Sequence, residues 1–370
     1  MKTTAAILWE VRTPWSVEEI DLDPPGPREV LVEIAASGMC HSQDHIRTGD
    51  LPWLFPVIGG HEGAGVVTEV GPDVTKVEVG DHVVLSFMPA CGRCPSCASG
   101  HTYHCDRGAE MSEGRQVADG TYRHHANGQD LRIECSIGTF ARHSVVHEDS
   151  CVVIDRDMPL DLACLFACSV ATGWGSVVHT AKVQPGESVA VVGVGGLGAN
   201  AVQGAIHAGA RNVFAIDPVE FKRDVACELG ATAAFESMSA ALGPITDLTH
   251  GRMCDAVIMV IGVGDGRLMS DATALTGKRG RIVVANLHPR HETKVDLSLL
   301  DLTLMGHQIL GSVVGSSNLW HDIPMWVDLY REGRLELDRL VTRTYPLEEV
   351  NQGYADMHAG KNIRGVLLMA

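Results

Sequence analysis

Apolar residues in the first 150 or so positions come in short β-branched runs, EVLVEIAASG, GAGVVTEVG and DHVVLSF among them, broken by Gly and Pro every few residues. That texture predicts many short strands joined by turns, an all-β body. From about residue 171 the pattern changes. SVAVVGVGG and NVFAIDP read as apolar strands separated by the helical stretch LGANAVQGAIHAG, and DAVIMVIG and RIVVAN follow with helical segments between them. Alternation of strand and helix predicts a parallel, doubly wound sheet. The last 60 residues revert to mixed texture and end in the strand-like GVLLMA, so the carboxyl terminus is expected to rejoin the first domain. The expected fold is α/β: a β-rich domain over 1–170, to which 311–370 return, and a doubly wound domain over 171–310.

Composition narrows the functional class. With 370 residues, 45% of them hydrophobic, the chain has material for two packed cores, and it has no internal repeat. The start MKTTAAILWEVRTPW has too short an apolar stretch for a signal peptide, and no later run approaches the roughly 20 apolar residues of a membrane span. A soluble cytoplasmic protein without a membrane partner is expected. A formal charge of -17 with no Lys/Arg cluster argues against nucleic acid as a partner. Eleven cysteines then read as thiols and metal ligands rather than disulfides.

Cys91, Cys94, Cys97 and Cys105 form a C-x2-C-x2-C-x7-C run in CGRCPSCASGHTYHC. Four thiolates on such a loop can close a tetrahedron around Zn²⁺ at about 2.3 Å with no open position, which is a structural site. An iron–sulfur cluster uses the same donors, and four unliganded thiols are a third reading. Cys135, Cys151, Cys164, Cys227 and Cys254 lie singly in apolar or loop contexts, where cysteine behaves as a small buried hydrophobe; they receive no role.

A second group is scattered: Cys40, Ser42 and His45 in GMCHSQDH, His61 and Glu62 in GGHEGAG, and Cys168 in ACSVATGWG. Taken singly, each reads as core or as a hydrogen-bonded polar residue. Only folding could unite Cys, His and Cys as the three protein ligands of a catalytic zinc, whose fourth position stays open. GVGGLG supplies Gly193, Gly195, Gly196, Leu197 and Gly198 directly after a strand and at the mouth of a helix. Glycine there permits a tight turn and close approach to a pyrophosphate, which the helix amino end attracts. Asp217 ends the next strand, nineteen residues after Gly198. Its carboxylate could accept from both ribose hydroxyls and would repel a 2′-phosphate, favouring NAD over NADP; otherwise it is a turn residue before Pro218.

GHEGAGVV, the CGRCPSC loop, ATGWGSV, GVGGLG and KNIRGVLL occur in the order and spacing of zinc-containing medium-chain alcohol dehydrogenases, which the chain resembles over essentially its whole length. Segment 105–146, with DGTYRHHANGQD and GTFARHSVV, looks like the longer loop of the animal-type and glutathione-dependent formaldehyde dehydrogenase branch. Within that branch the chain is most similar to actinobacterial nicotinoprotein alcohol dehydrogenases, which retain their nicotinamide cofactor and are assayed with nitrosodimethylaniline. The resemblance implies a GroES-like catalytic domain, a Rossmann domain, NAD, two zinc ions per subunit, and oxidation of small alcohols to aldehydes and its reverse. It assigns the catalytic zinc to Cys40, His61 and Cys168, with Glu62 behind the metal as an alternate ligand. Ser42 and His45 match a proton relay from the zinc-bound oxygen through the cofactor ribose to solvent, and Phe87 a wall of the substrate pocket. His41 and Arg364 fall at the pyrophosphate, Thr172 near the nicotinamide and Lys222 near the adenosine ribose. The strand-like run LTLMGHQILGSVVG looks like the segment through which relatives pair subunits, implying a homodimer or larger homo-oligomer.

Two positions depart from the family pattern. Gln43 stands where many relatives have Asp, so an expected acceptor for the His61 ring N–H is missing, unless the Gln43 carbonyl or Asp44 supplies it. His41 replaces a frequent Arg. Two other functions stay open: oxidation of a thiol adduct of formaldehyde, whose carboxylate Arg115 or Arg123 could receive, and a non-catalytic zinc- and NAD-binding protein that keeps the fold.

Overall fold

The computed structural model describes residues 1–369; Ala370, at the end of GVLLMA, lies outside them. The chain forms two compact units, one built from Met1–Cys168 and the segment from Asn318 onward, the other from Ser169–Ser317.

In the first unit, Lys2–Leu8, Ser16–Leu22, His124–Ala126, Gln129–Ile133 and Val57–Ile58 close into a small barrel. Beside it, Glu29–Gly38 is the central strand of a seven-stranded sheet, flanked by Gly63–Val70 and Arg364–Leu368. Both flanking strands run antiparallel to it, with Ser37 opposite Gly63 and Gly38 opposite Val366. Val30, Val32 and Ile34 alternate inward along the central strand and pack with Trp15, Phe140 and Tyr354 in the main core of this unit. The carboxyl-terminal strand thus lies in the first unit's sheet.

The expectation of an all-β amino-terminal body needs correction. GMCHSQDH opens a helix, His41–Thr48. The Gln43 side chain accepts from the Cys40 backbone N–H at 3.0 Å, satisfying one of the donors that a helix start leaves unpaired. Gly49, at φ +85°, ends the helix in the left-handed conformation. Short 3₁₀ turns add to it at Thr102–His104 and Asp106–Glu113. Strand-period patterning did not reveal these elements because each spans no more than about three turns, too short to show a helical period.

The second unit is a six-stranded parallel sheet with the order Ala233–Phe235, Asn212–Ile216, Ser188–Val192, Cys254–Met259, Thr276–Val284, Gln308–Gly311. Counted along the chain this is the doubly wound order 3-2-1-4-5-6, whose direction reverses beside Ser188–Val192. All five residues of that strand are buried, as strands covered on both faces require. The run LTLMGHQILGSVVG is strand only in part. Its first residues complete the helix Leu299–Met305, which Ser298 caps by accepting from the Asp301 N–H at 3.1 Å, and Gly306 stops the helix before Gln308–Gly311. Among the described residues no single helix is long and apolar enough to cross a membrane.

One barrel residue makes the fold pH-sensitive. Burial lowers the His124 imidazole to about 3, whereas an unfolded chain leaves it near 6.5. Its neutral form is favoured in the folded state, so its stabilising contribution is present above about pH 6.5 and is lost as pH falls towards 3. His124→Leu is therefore expected to flatten the acid limb of a denaturation curve measured across that range, with little change at pH 8.

Candidate functional site

Cys40 lies two residues beyond the end of strand Glu29–Gly38, and His61 two residues before the start of strand Gly63–Val70. Because these strands pair antiparallel with Ser37 opposite Gly63, the two side chains emerge at the same end of the sheet. Cys168 follows the 3₁₀ turn Cys164–Ala167, which packs on the central strand. One ligand atom each from Cys40, His61, Glu62 and Cys168 then lie within 4.8 Å of one another, and all four residues are buried. A Cβ on Gly38 would meet Glu62 Oε2 at 2.2 Å, so glycine is needed at this close approach.

The Cys40 thiol is drawn well below its ordinary pKa by a hydrogen bond from Cys168; burial opposes the shift, and the Arg364 charge and His61 assist it. Burial would lower His61, but the Cys40 and Glu134 side chains outweigh it and raise the imidazole to about 9. Both shifts express the same demand, positive charge among buried anionic donors. Two sulfurs, an imidazole and a carboxylate in one buried cluster fit Zn²⁺.

Arg364 ion-pairs with Glu62, since its strand pairs with the central strand at Gly38. Ser42 Oγ sits 3.1 Å from the Cys40 sulfur. His45, one turn along the same helix, meets the Asp50 carboxylate at 3.4 Å, and Asp50 is 30% exposed. Phe87 presents a T-shaped contact to His61 with ring centroids 5.2 Å apart.

The sequence reading left the partner of the His61 ring N–H open between Gln43 and Asp44. Asp44 is engaged elsewhere, with Arg47 at 2.7 Å and His358 at 3.0 Å. The carboxylate that meets His61 Nδ1, at 2.8 Å, belongs to Glu134. Glu134 lies 73 residues from His61, in the 3₁₀ turn Glu134–Ser136 within segment 105–146 but outside the motifs quoted from it, and no local signal singles it out.

Cys91, Cys94, Cys97 and Cys105 also bring their sulfurs within 4.8 Å of one another. Cys94 and Cys105 are 4.0 Å apart, close to the sulfur–sulfur spacing of about 3.8 Å that a tetrahedral Zn–S distance of about 2.3 Å requires. Backbone N–H groups of Cys94, Cys97 and Asp106 donate to cluster sulfurs, each at 3.4 Å. For Cys91, burial is overcome by N–H groups of Arg93 and Cys94, which pull the thiol down to about 7, while burial pushes Cys97 up to about 12. Four thiolates cannot share this space without a cation, and the donors fit a zinc ion.

In the second unit, the GVGGLG loop joins Ser188–Val192 to helix Gly196–His207. Gly193 adopts φ +94°, and a Cβ on Gly198 would lie 1.8 Å from the Gly193 carbonyl oxygen. Asp217 accepts from Val194 N–H at 2.8 Å and Val219 N–H at 2.9 Å. It therefore ties the glycine loop to the end of the next strand, while a carboxylate keeps lone pairs for further donors. Lys222 stands in the following helix, where its neighbour Arg223 donates to the Asp217 carbonyl at 2.8 Å. Thr172 is buried in the helix Ser169–Gly175 of this unit, and His41 and Arg364 belong to the first.

Arg123 is neutralised by Glu29 at 2.8 Å and Asp119 at 2.6 Å, and Arg115 pairs with Glu113 at 3.4 Å.

With this geometry in view, comparison with known proteins is direct. Residues 26–156 match the alcohol dehydrogenase GroES-like domain, and residues 196–331 the zinc-binding dehydrogenase domain. Alcohol dehydrogenase B of Mycobacterium tuberculosis is 48% identical over 99% of this chain and 98% of its own. The chain belongs to the zinc-containing medium-chain alcohol dehydrogenases. Within this family the NDMA-dependent alcohol dehydrogenase of Amycolatopsis methanolica is 45% identical, over 100% of this chain and 99% of its own. The crystal structure of benzyl alcohol dehydrogenase from Acinetobacter calcoaceticus superposes with a TM-score of 0.91 at 29% identity, covering 100% of both chains. The fold is thus the GroES-like and Rossmann architecture of these dehydrogenases.

Cys97→Ser is expected to lower the zinc content by one ion per chain and to loosen residues 91–113, since a metal-closed loop keeps little structure without its ion. Limited proteolysis should then cut within that segment, which the unaltered protein protects.

Proposed function

We propose that the chain oxidises small alcohols to aldehydes, and reduces aldehydes in reverse, using zinc and NAD. In this reading residues 1–170 with 311–370 form the catalytic domain and 171–310 the dinucleotide domain. The observation that carries it is the buried convergence of Cys40, His61 and Cys168, with Glu62 behind them.

Cys40, His61 and Cys168 would hold the catalytic zinc, with Glu62 as alternate ligand, and Cys91, Cys94, Cys97 and Cys105 the structural zinc. Zinc would supply Lewis acidity at the alcohol or carbonyl oxygen, and NAD the hydride acceptor. Ser42 takes the substrate's hydroxyl proton, and His45, hydrogen-bonded to half-buried Asp50, delivers it to water. Phe87 braces the imidazole edge-on and walls the substrate. The GVGGLG loop receives the pyrophosphate at a helix amino end, and Thr172 lies by the nicotinamide; the family resemblance assigns His41 and Arg364 to the pyrophosphate as well. Asp217 and Lys222 bind the adenosine ribose, where the carboxylate disfavours a 2′-phosphate. The ion-paired states of Arg115 and Arg123 favour this reading over oxidation of an acidic thiol adduct.

Similarity to the NDMA-dependent enzyme supports a retained cofactor. Purified without added cofactor, the protein should carry two zincs per chain and the absorbance and fluorescence of bound NAD(H). It should then turn over an alcohol with nitrosodimethylaniline and no free NAD. Two zincs with an empty cofactor site would indicate ordinary dissociable NAD, and one zinc or none would overturn the catalytic-site reading. Ser42→Ala should lower kcat by about 10²- to 10⁴-fold while zinc content stays at the unaltered value.

A homodimer or larger homo-oligomer is part of the proposal. Leu299, Leu300 and Leu304 are 70%, 66% and 73% exposed beside the edge strand Gln308–Gly311, an apolar patch with an unpaired ladder that pairing would cover. Leu304→Glu is expected to yield monomers by sedimentation.

A further inference from the structure

We propose that Glu134 is the anionic group that orients the zinc-binding imidazole of His61, with the neutral amide of Gln43 as its neighbour. The inference rests on the reading of His61 as a zinc ligand.

Gln43 lies beside the same imidazole, but its carbonyl oxygen is already committed. It accepts from the Cys40 backbone N–H at 3.0 Å and from the Tyr354 hydroxyl at 3.2 Å. Tyr354 is itself fixed by stacking on Trp15, with ring centroids 6.3 Å apart. That arrangement places the Gln43 amide nitrogen 2.6 Å from His61 Nδ1 and 3.4 Å from Glu134 Oε1, so amide and carboxylate both face the one ring nitrogen. When Nε2 faces a metal and Nδ1 carries the proton, only the carboxylate can accept it. An amide nitrogen cannot accept the imidazole N–H, so position 43 is unable to do what a carboxylate there would do.

Glu134 fills the gap. It is 1% exposed, and each of its oxygens has donors: Oε1 meets His61 Nδ1 at 2.8 Å and the Gln43 amide at 3.4 Å, and Oε2 accepts from Gly60 N–H at 2.7 Å. The carboxylate therefore grips both the backbone just before His61 and the imidazole itself. Directly after it, Cys135 and Ser136 take positive φ values of 53° and 57°. Left-handed backbone at two consecutive non-glycine residues is costly, and it persists where surrounding contacts demand it. Held by Glu134, Nδ1 keeps its proton and Nε2 presents its lone pair, which fixes tautomer and ring orientation for a metal. Glu134 is thus a positioning residue.

The test compares Glu134→Gln with the double variant Gln43→Asp/Glu134→Gln, both as purified holoprotein. Readouts are zinc per chain and the rate at which a chromogenic chelator withdraws each ion, with Cys40→Ser identifying the phase of the cysteine-cluster zinc. Glu134→Gln should release the Cys40–His61–Cys168 zinc about 10- to 100-fold faster, leave the other zinc unchanged, and be largely rescued by Asp at 43. The rescue separates orientation of His61 from mere packing, because a carboxylate restored at 43 returns charge beside the imidazole without replacing Glu134's own volume. If Glu134→Gln does not fold, the double variant decides: folded with two zincs supports the positioning role, and unfolded overturns it. Unaltered release rates in Glu134→Gln, or no recovery in a folded double variant, also overturn it while leaving the zinc assignment intact. Unaltered protein holding only the cysteine-cluster zinc overturns both.

Discussion

Everything at the first unit's site depends on strand register. Glu29–Gly38 is held antiparallel to Gly63–Val70 with Ser37 opposite Gly63, and to Arg364–Leu368 with Gly38 opposite Val366. That pairing brings the chain just past one strand end, at Cys40, beside the chain just before another strand start, at His61. It also brings Arg364 onto Glu62. A slip of one residue would turn every side chain of a strand to its opposite face, and the donor set would scatter between core and surface. The convergence of these donors is therefore a consequence of sheet pairing rather than of any local motif.

The register in turn concentrates buried charge. Cys40 is pulled well below its ordinary pKa, and His61 is raised to about 9. Such a cluster is unfavourable in a low-dielectric interior unless a cation completes it or partners compensate it. Arg364 with Glu62, and Glu134 with His61, are the compensations the fold provides. The same logic governs the cysteine loop, where backbone N–H groups aim at sulfur and the thiols split between lowered Cys91 and raised Cys97. Both clusters could hold a metal ion, one drawn from a single loop and one from three distant segments.

In the proposed function the second unit would face a different problem, receiving a phosphate-bearing ligand without strong positive charge. Gly193 and Gly198 let a strand and a helix approach too closely for any Cβ, and Asp217 pins the loop through Val194. The backbone thus prepares an anion-receiving helix terminus in a chain whose net charge is -17. Side-chain charge on the whole surface matters less here than the orientation of a few backbone N–H groups.

What the sequence determined by itself is what short-range physics controls. The cysteine run closes within one loop, the glycine loop sits between adjacent strand and helix, and the doubly wound sheet follows from alternating apolar strands and helices. All of these were legible because their parts are neighbours along the chain. The tertiary structure alone decided the assembly of Cys40, His61 and Cys168, the ion pair of Arg364 with Glu62, and the hold of Glu134 on His61. Those contacts join residues far apart in sequence, and neither periodicity nor spacing encodes which strand ends meet. Helices His41–Thr48 and Leu299–Met305 were hidden for a related reason: short helices have little propensity signal of their own and exist through caps and packing. The role of Glu134 could not be read from the sequence, because its carboxylate reaches His61 from the turn after the barrel strand Gln129–Ile133, outside the sheet that carries Cys40 and His61.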